Sequence, residues 1–529
     1  MKPIIIIFFL FFSYSSYSSN GGGDLKITYD AVLKIEKALK YYQTDVEDIL
    51  ARFKVNNHIV LNKIEKNIIK NFWSILIDHR VVLHSLYNTY SKEAPSYENN
   101  LIRYTANLHL QKSAAIMSQI LWDNKNARNK LDETNQKELP RGSFTNMENE
   151  LFRNFNNTIT DIDLPTMFPV HSMQKDMESF HSFNGTPRTE IEIELENLNK
   201  LSQQKLTSLM PFISNSKNIS EIKKRFFIYK FKNLFYSISR KISTWLGDTK
   251  IRNRNPDYYN GQTLIDLKMA KKMNDIVKPG DVMISRTNWF LSNAFLPGFW
   301  PHSFLYIGGP NKMRAFFNTK EVNTFFTKLC IQKELKCNDM FSYLEKNGTT
   351  AKAFVKYLEK DKYGFEKVLM EGTSDGIHFS SVRHTFLNDY LAAMRPVVSK
   401  VAKAMTIVDS FESFGLEYDF DFDYQTDDRL VCTELVAKSY EKRPGKGGFS
   451  MNYNIDQGKY LEVILGRLAL PVVNFVHKIY DENILKVRKP DLEFVAFLKG
   501  NREKKNSEFS TEKDFYESRD WKKWSFMRE

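Results

Sequence analysis

One of the chain's three cysteines, Cys432, has surroundings that can make a thiol reactive. It stands in Arg429-Leu-Val-Cys-Thr-Glu-Leu-Val-Ala-Lys-Ser-Tyr440, a run with helical spacing whose first turn begins at the cysteine. The free N–H groups and partial positive charge of a helix start favour thiolate over thiol, and the thiolate is the nucleophile. A cysteine so placed is either such a nucleophile or a small buried hydrophobe. Nucleophilic work needs a base to take the proton and a third group to orient that base. Their order in the chain is free, because the site assembles in space. Two upstream residues have the right types: His302, at the start of a strand-like run in Trp300-Pro-His-Ser-Phe-Leu-Tyr-Ile-Gly308, and Glu371, at the end of another in Lys367-Val-Leu-Met-Glu-Gly372. His378 and His384, in Gly376-Ile-His-Phe-Ser-Ser-Val-Arg-His384, compete with His302 for the role of base. Glu434, two residues past the cysteine, suits a helix start as a partner of the dipole, although its charge would oppose a thiolate.

The elements that must hold these groups are short strands with turn punctuation. Val282-Met-Ile-Ser285 follows Lys278-Pro-Gly-Asp281, Ser303 to Ile307 precedes Gly308-Gly-Pro310, and Val368-Leu-Met370 precedes Glu371-Gly372. With the Cys432 helix they predict an α+β domain over residues 257–500, interrupted by an insertion at 312–367 that is helical over Ala351 to Leu358. The preceding region, 20–250, reads as all-helical: Ile35, Leu39, Tyr42, Val46 and Leu50 recur at steps of three and four, and similar stripes run through 59–87, 101–122 and 189–209. Residues 124–187 are polar, carry Gly142, Pro165, Pro169 and Gly185, and read as a long irregular connection. The charged tail 501–529 reads as disordered.

At 529 residues the chain has room for two or three domains. Lys and Arg outnumber Asp and Glu by 76 to 63, giving +13, which suits an anionic cell-wall polymer or a membrane surface. With no zinc-finger spacing, RNA-recognition signature or basic region leading into heptads, the charge points away from nucleic acid. Met1-Lys-Pro3, an apolar run from Ile4 to Phe12 and the small polar residues Ser13 to Ser19 read as a signal peptide, 1–19, so the protein is expected to be exported to the periplasm or beyond the cell. Outside the cytoplasm Cys330 and Cys337, in Cys-Ile-Gln-Lys-Glu-Leu-Lys-Cys, can pair, and Cys432 is then left as the unpaired thiol. Residues 221–246 set Phe227, Phe231, Leu234, Ile238, Ile242 and Trp245 in one stripe among seven Lys and Arg residues; such a helix either packs on the protein or lies on an anionic membrane.

Other motifs carry less. His58, His79, His84, His109, His171 and His181 lack metal-like spacing and read as structural, so no metal or other cofactor is called for. Asp419-Phe-Asp-Phe-Asp423 opens like an EF-hand, but Tyr424 stands where glycine is wanted and Leu430 where glutamate is wanted. Asn156-Asn-Thr158 meets a glycosylation pattern loosely.

The ordered set of Gly280-Asp281, His302 with Gly308, Glu371, Tyr418-Asp-Phe-Asp-Phe422 and Cys432-Thr-Glu-Leu435 resembles the circularly permuted papain-like hydrolases of the NlpC superfamily, the YiiX-like group, over about residues 275 to 500. The resemblance implies a small antiparallel sheet packed on the cysteine helix, with His302 as base, Glu371 as the group that orients it and Cys432 as nucleophile. It implies an amidase or peptidase-type hydrolase working through an acyl-enzyme, with cell-wall peptides as the leading substrate. The lecithin retinol acyltransferase group, permuted relatives that act on acyl esters, supplies the alternative of a lipid acyl hydrolase or acyltransferase at a membrane surface. A binding module with a vestigial site is the third reading.

Overall fold

The computed structural model describes residues 21–55, 59–133, 141–155, 189–228, 263–288 and 296–522, less residues 92, 95, 444, 452–459 and 465–466. The signal-peptide segment, Asn156, His58, His171, His181 and the 221–246 stretch beyond 228 lie outside the described residues. The chain divides into two units, one from Met1–Asn57 and Glu65–Asn233, the other from His58–Ile64 and Leu234–Glu529.

The first unit is helical: α1 (Gly21–Tyr41), α2 (Glu47–Val55), α3 (Lys63–Tyr90), α4 (Tyr97–Ile120), α5 (Lys125–Leu131), α6 (Ser143–Phe155) and α7 (Glu190–Ile213). The predicted stripe, running from α1 through the π-helical turn Tyr42–Val46 into α2, is a core face, with Ile35, Leu39, Tyr42, Val46 and Leu50 buried. Thr189 starts α7 with a capping box, accepting from the Glu192 N–H while the Glu192 carboxylate accepts from Thr189 N–H. The polar stretch after 124 is not one irregular connection. Asn124 caps α5, and Phe144, Met147, Leu151 and Phe152 recur at helical steps to give α6 a buried face, a pattern that the surrounding Gly and Pro obscured. Of the scattered histidines, His109 is buried in α4 with Nδ1 3.3 Å from Glu36 Oε1.

The second unit is built on a sheet. Its strands are β1 (Val282–Arg286), β2 (His302–Tyr306), β3 (Lys367–Thr373), β4 (Gly376–Ser381), β5 (Tyr390–Pro396), the short pairs β6 (Glu417–Tyr418) with β7 (Arg429–Leu430) and β8 (Glu462–Ile464) with β9 (Arg467–Ala469), then β10 (Leu492–Asn501) and β11 (Asn506–Ser510). Seven of these form one antiparallel sheet in the order β11-β10-β5-β1-β2-β3-β4. Alternate residues point to opposite faces. One face, with Val282, Ile284, Leu305, Met370, Ala392 and Met394, packs against α14 (Lys400–Glu412) and α15 (Cys432–Ser439). The other, with Met283, Phe304, Leu391 and Ala393, packs against α8 (Leu267–Ile276). The architecture is therefore α+β, a helical N-terminal region followed by a sheet domain, and the sheet is larger than expected.

Between β2 and β3 the insertion forms α9 (Pro310–Phe317), α10 (Lys320–Gln332), α11 (Met340–Lys346) and α12 (Ala351–Leu358), whose Phe317, Phe326, Phe341 and Tyr357 join the first face's core. Cys330 and Cys337 form a disulfide at the end of α10. The tail expected to be disordered is instead ordered to residue 522: β11 pairs with β10, and Phe515 on the helix Glu512–Glu517 is buried against Trp300 and Phe497. Its charges alternate with these anchors, and overall composition hides that pattern.

Candidate active site

Cys432 is the first residue of α15, with Val431 as N-cap, so its thiol sits where helical N–H groups have no intrahelical acceptor. Two contacts fix this helix, one at each end. Tyr440, just past its C-terminus, donates its hydroxyl to the Gly280 carbonyl, in the turn that opens β1. Gly280 holds φ +93°, and a Cβ there would lie 2.9 Å from that hydroxyl, so the turn requires glycine. Asp281 closes the same turn by accepting from Lys278 N–H at 2.8 Å and from Arg395 at 2.7 and 2.9 Å. At the other end Gly372 lets β3 approach, since a Cβ there would be 3.3 Å from the Cys432 nitrogen.

The structure brings Cys432, His302 and Glu371 together. His302 Nε2 lies 2.8 Å from Glu371 Oε2, which leaves Nδ1 for the Cys432 thiol that the ring also hydrogen-bonds. Burial disfavours the imidazolium, but the bonds to Cys432 and Glu371 outweigh it and raise His302 to about 10. Burial likewise opposes the thiolate, yet His302 and the Ser303 backbone N–H hold the thiol below its ordinary range. Glu371, buried, is kept well below the carboxylate range despite burial by His302 and His384. The three groups thus favour a thiolate–imidazolium pair backed by a carboxylate.

His378 and His384 gather round Glu371: His378 Nε2 and His384 Nδ1 lie 3.7 and 3.8 Å from Oε1. Glu434 is fully buried, 3.6 Å from Lys438, and burial pushes its carboxyl well above the usual range, toward the neutral form that does not oppose a thiolate. Asp419 accepts the backbone N–H groups of Asp421 and Asp423 and so closes a turn.

Sequence reasoning missed Thr385, which donates to Glu371 Oε1 at 2.8 Å, and Tyr418, whose phenol is pushed up by burial and by Cys432 and Glu434 nearby. Tyr418 lay within the quoted aromatic–acidic run, and that was its only signal. Thr385 had none, because a threonine next to a histidine is ordinary.

No curated protein and no solved structure matches the chain. Residues 276–449 match the family described as permuted papain-like amidase enzyme, YaeF/YiiX, C92 family. The matched segment runs from the end of α8 through β1 and the insertion to the residues just beyond α15, and so contains His302, Glu371 and Cys432. This segment is similar to the permuted papain-like amidases, and the protein is a cysteine-dependent hydrolase of the amidase and peptidase type.

Proposed function

We propose that the protein is an exported amidase that cleaves amide bonds in cell-wall peptides, with Cys432 as nucleophile, His302 as base and Glu371 as the group that orients it. One observation carries this reading: the hydrogen-bonded line from Glu371 through His302 to a thiol at a helix start. In the reaction the thiolate attacks the amide carbonyl carbon, and the helix-start N–H groups face the oxygen as it gains charge. The His302 imidazolium gives its proton to the departing nitrogen, the C–N bond breaks, and an acyl-enzyme remains on Cys432. Water then attacks the thioester, with His302 taking its proton, and the thiolate leaves. Histidine preceding cysteine in the chain, with a sheet packed on the cysteine helix, fits a permuted papain-like arrangement.

Export is supported by the signal-like sequence of residues 1–19 and by the Cys330–Cys337 disulfide, a bond that persists in oxidising compartments. The net charge of +13 suits an anionic wall. The test is incubation of the full chain with purified peptidoglycan and mass analysis of what is released. Fragments carrying one added water per broken amide are expected from the wild type. Release of fatty acid from liposomes with no peptide fragment would overturn the cell-wall reading in favour of a lipid acyl substrate.

A further inference from the structure

Glu371 receives a second set of donors that the reaction above leaves unused. Its Oε1 accepts from Thr385 Oγ1 at 2.8 Å. A threonine hydroxyl has one proton, and Thr385 spends it on Glu371, so the 2.6 Å contact between Thr385 and Ser380 Oγ must be a bond that Thr385 accepts. Ser380 is then the donor there, and its 3.0 Å contact with His384 Nδ1 must be accepted as well. That places a proton on Nδ1 of His384 and leaves Nε2 as the nitrogen that gains or loses one. The line donates in one direction throughout, from His384 through Ser380 and Thr385 into Glu371. It joins a histidine with 64% of its side chain exposed to a carboxylate with 3% exposed. The fold makes the junction locally: Ser380 lies in β4 beside β3, and the four-residue helix α13 (Val382–Thr385) turns His384 and Thr385 back over Glu371.

We infer that His384 is a positioning residue whose ionisation, passed along Ser380 and Thr385, sets how firmly Glu371 holds His302 and hence how reactive Cys432 is. This rests on the proposed roles of Glu371, His302 and Cys432. Protonated His384 offsets part of the Glu371 charge and loosens its hold on the His302 imidazolium; loss of that proton tightens it. The Glu371 carboxylate, 3.8 Å from Nδ1, raises His384 above the ordinary histidine range against burial, so the change falls above pH 6.5 or so. The other charged or titratable groups around this histidine are His378 on β4, His302 on β2, Asp361 and Lys362 in the loop before β3, and Arg383 on α13 itself. Helix α8, packed on α13, adds Lys268, Lys271, Lys272 and Asp275.

The experiment is the rate of Cys432 alkylation by iodoacetamide in the full chain from pH 5 to 11, read by intact mass; no substrate is needed, and the other two cysteines are paired. Apart from the change at about pH 10, where His302 loses its proton and the thiolate stays in place, the wild type is expected to gain reactivity in two steps, one from the thiol and one from His384. His384→Gln should leave a single step. Thr385→Val should do the same with a rate about tenfold lower, the scale of a lost hydrogen bond to a charged group, while Thr385→Ser keeps both steps. A wild type with one step, a His384→Gln chain with both, or a step lost in His378→Gln in place of His384→Gln would overturn the inference alone. Absence of labelling at every pH would overturn the proposed function and this inference with it.

Discussion

His302 and Cys432 titrate toward each other's needs. The thiol lies below its ordinary range and the imidazole is raised to about 10, so the reactive ion pair exists between the two. Hydrolysis should rise as pH climbs through the thiol's lowered value and fall as it passes about 10, where His302 loses its proton. Glu371→Gln removes a charge that lifts the histidine, leaving burial to act against it. The alkaline limb should therefore move to lower pH, and kcat/KM should fall by roughly 10²–10⁴-fold, the scale seen when the carboxylate behind a catalytic histidine is neutralised. Unchanged pH profiles in this variant would contradict the orienting role. At this scale the sequence was informative because the chemistry restricts residue types: few side chains serve as nucleophile, base and orienting acid, and with Cys330 and Cys337 paired Cys432 is the free thiol. It was uninformative about Thr385 and Ser380, whose hydroxyls matter only through a proximity that the β3–β4 hairpin and α13 create.

The elements that aim these groups make their own demands. A methyl group at Gly372 would lie 2.8 Å from Ile377 Cδ1 and 3.3 Å from the Cys432 nitrogen; the isoleucine can yield, but the helix start cannot do so without moving the thiol. Gly372→Ala should lower kcat/KM by about tenfold or more through misplacement of the nucleophile, a loss that parallel alkylation rates would register. Helix α14 depends on Asp409, which binds Lys63 at 2.6 Å, Lys446 at 2.7 Å and Arg443 at 2.8 and 2.9 Å. Burial opposes its charge, but these cations hold it at about 2. Because its folded value lies below the unfolded value of about 3.9, the stability it contributes is full above that value and fades as pH falls through 4 toward 2. Asp409→Asn should cost about 3–5 kcal/mol, as removing one partner of a buried ion cluster does, and should flatten the acid limb of a thermal-melting profile. Strands were legible from their Gly and Pro punctuation. Helix α6 was not, since its apolar steps lie among turn-forming residues.

Across the whole molecule, the insertion and the tail show how core formation overrides local composition. The insertion carries many charges, yet its phenylalanines complete one face of the sheet, and the Cys330–Cys337 bond closes its turn after α10. Reduction should lower the thermal midpoint by roughly 5 °C, following the loop entropy that a short disulfide removes from the unfolded chain. No shift on reduction would argue that the bond does not form in the protein. The charged tail was read as disordered because averaging over 501–529 hides Phe515 and Trp521, two aromatic residues that dock against the core around Trp300 and Phe299. The most direct trial of the central claim is mass analysis of enzyme quenched in acid during turnover of a cell-wall peptide. A peptide-derived acyl group on the fragment holding Cys432, with no hydrolysis by Cys432→Ala, is the predicted result. Hydrolysis undiminished in Cys432→Ala, with no adduct on the wild type, would contradict it.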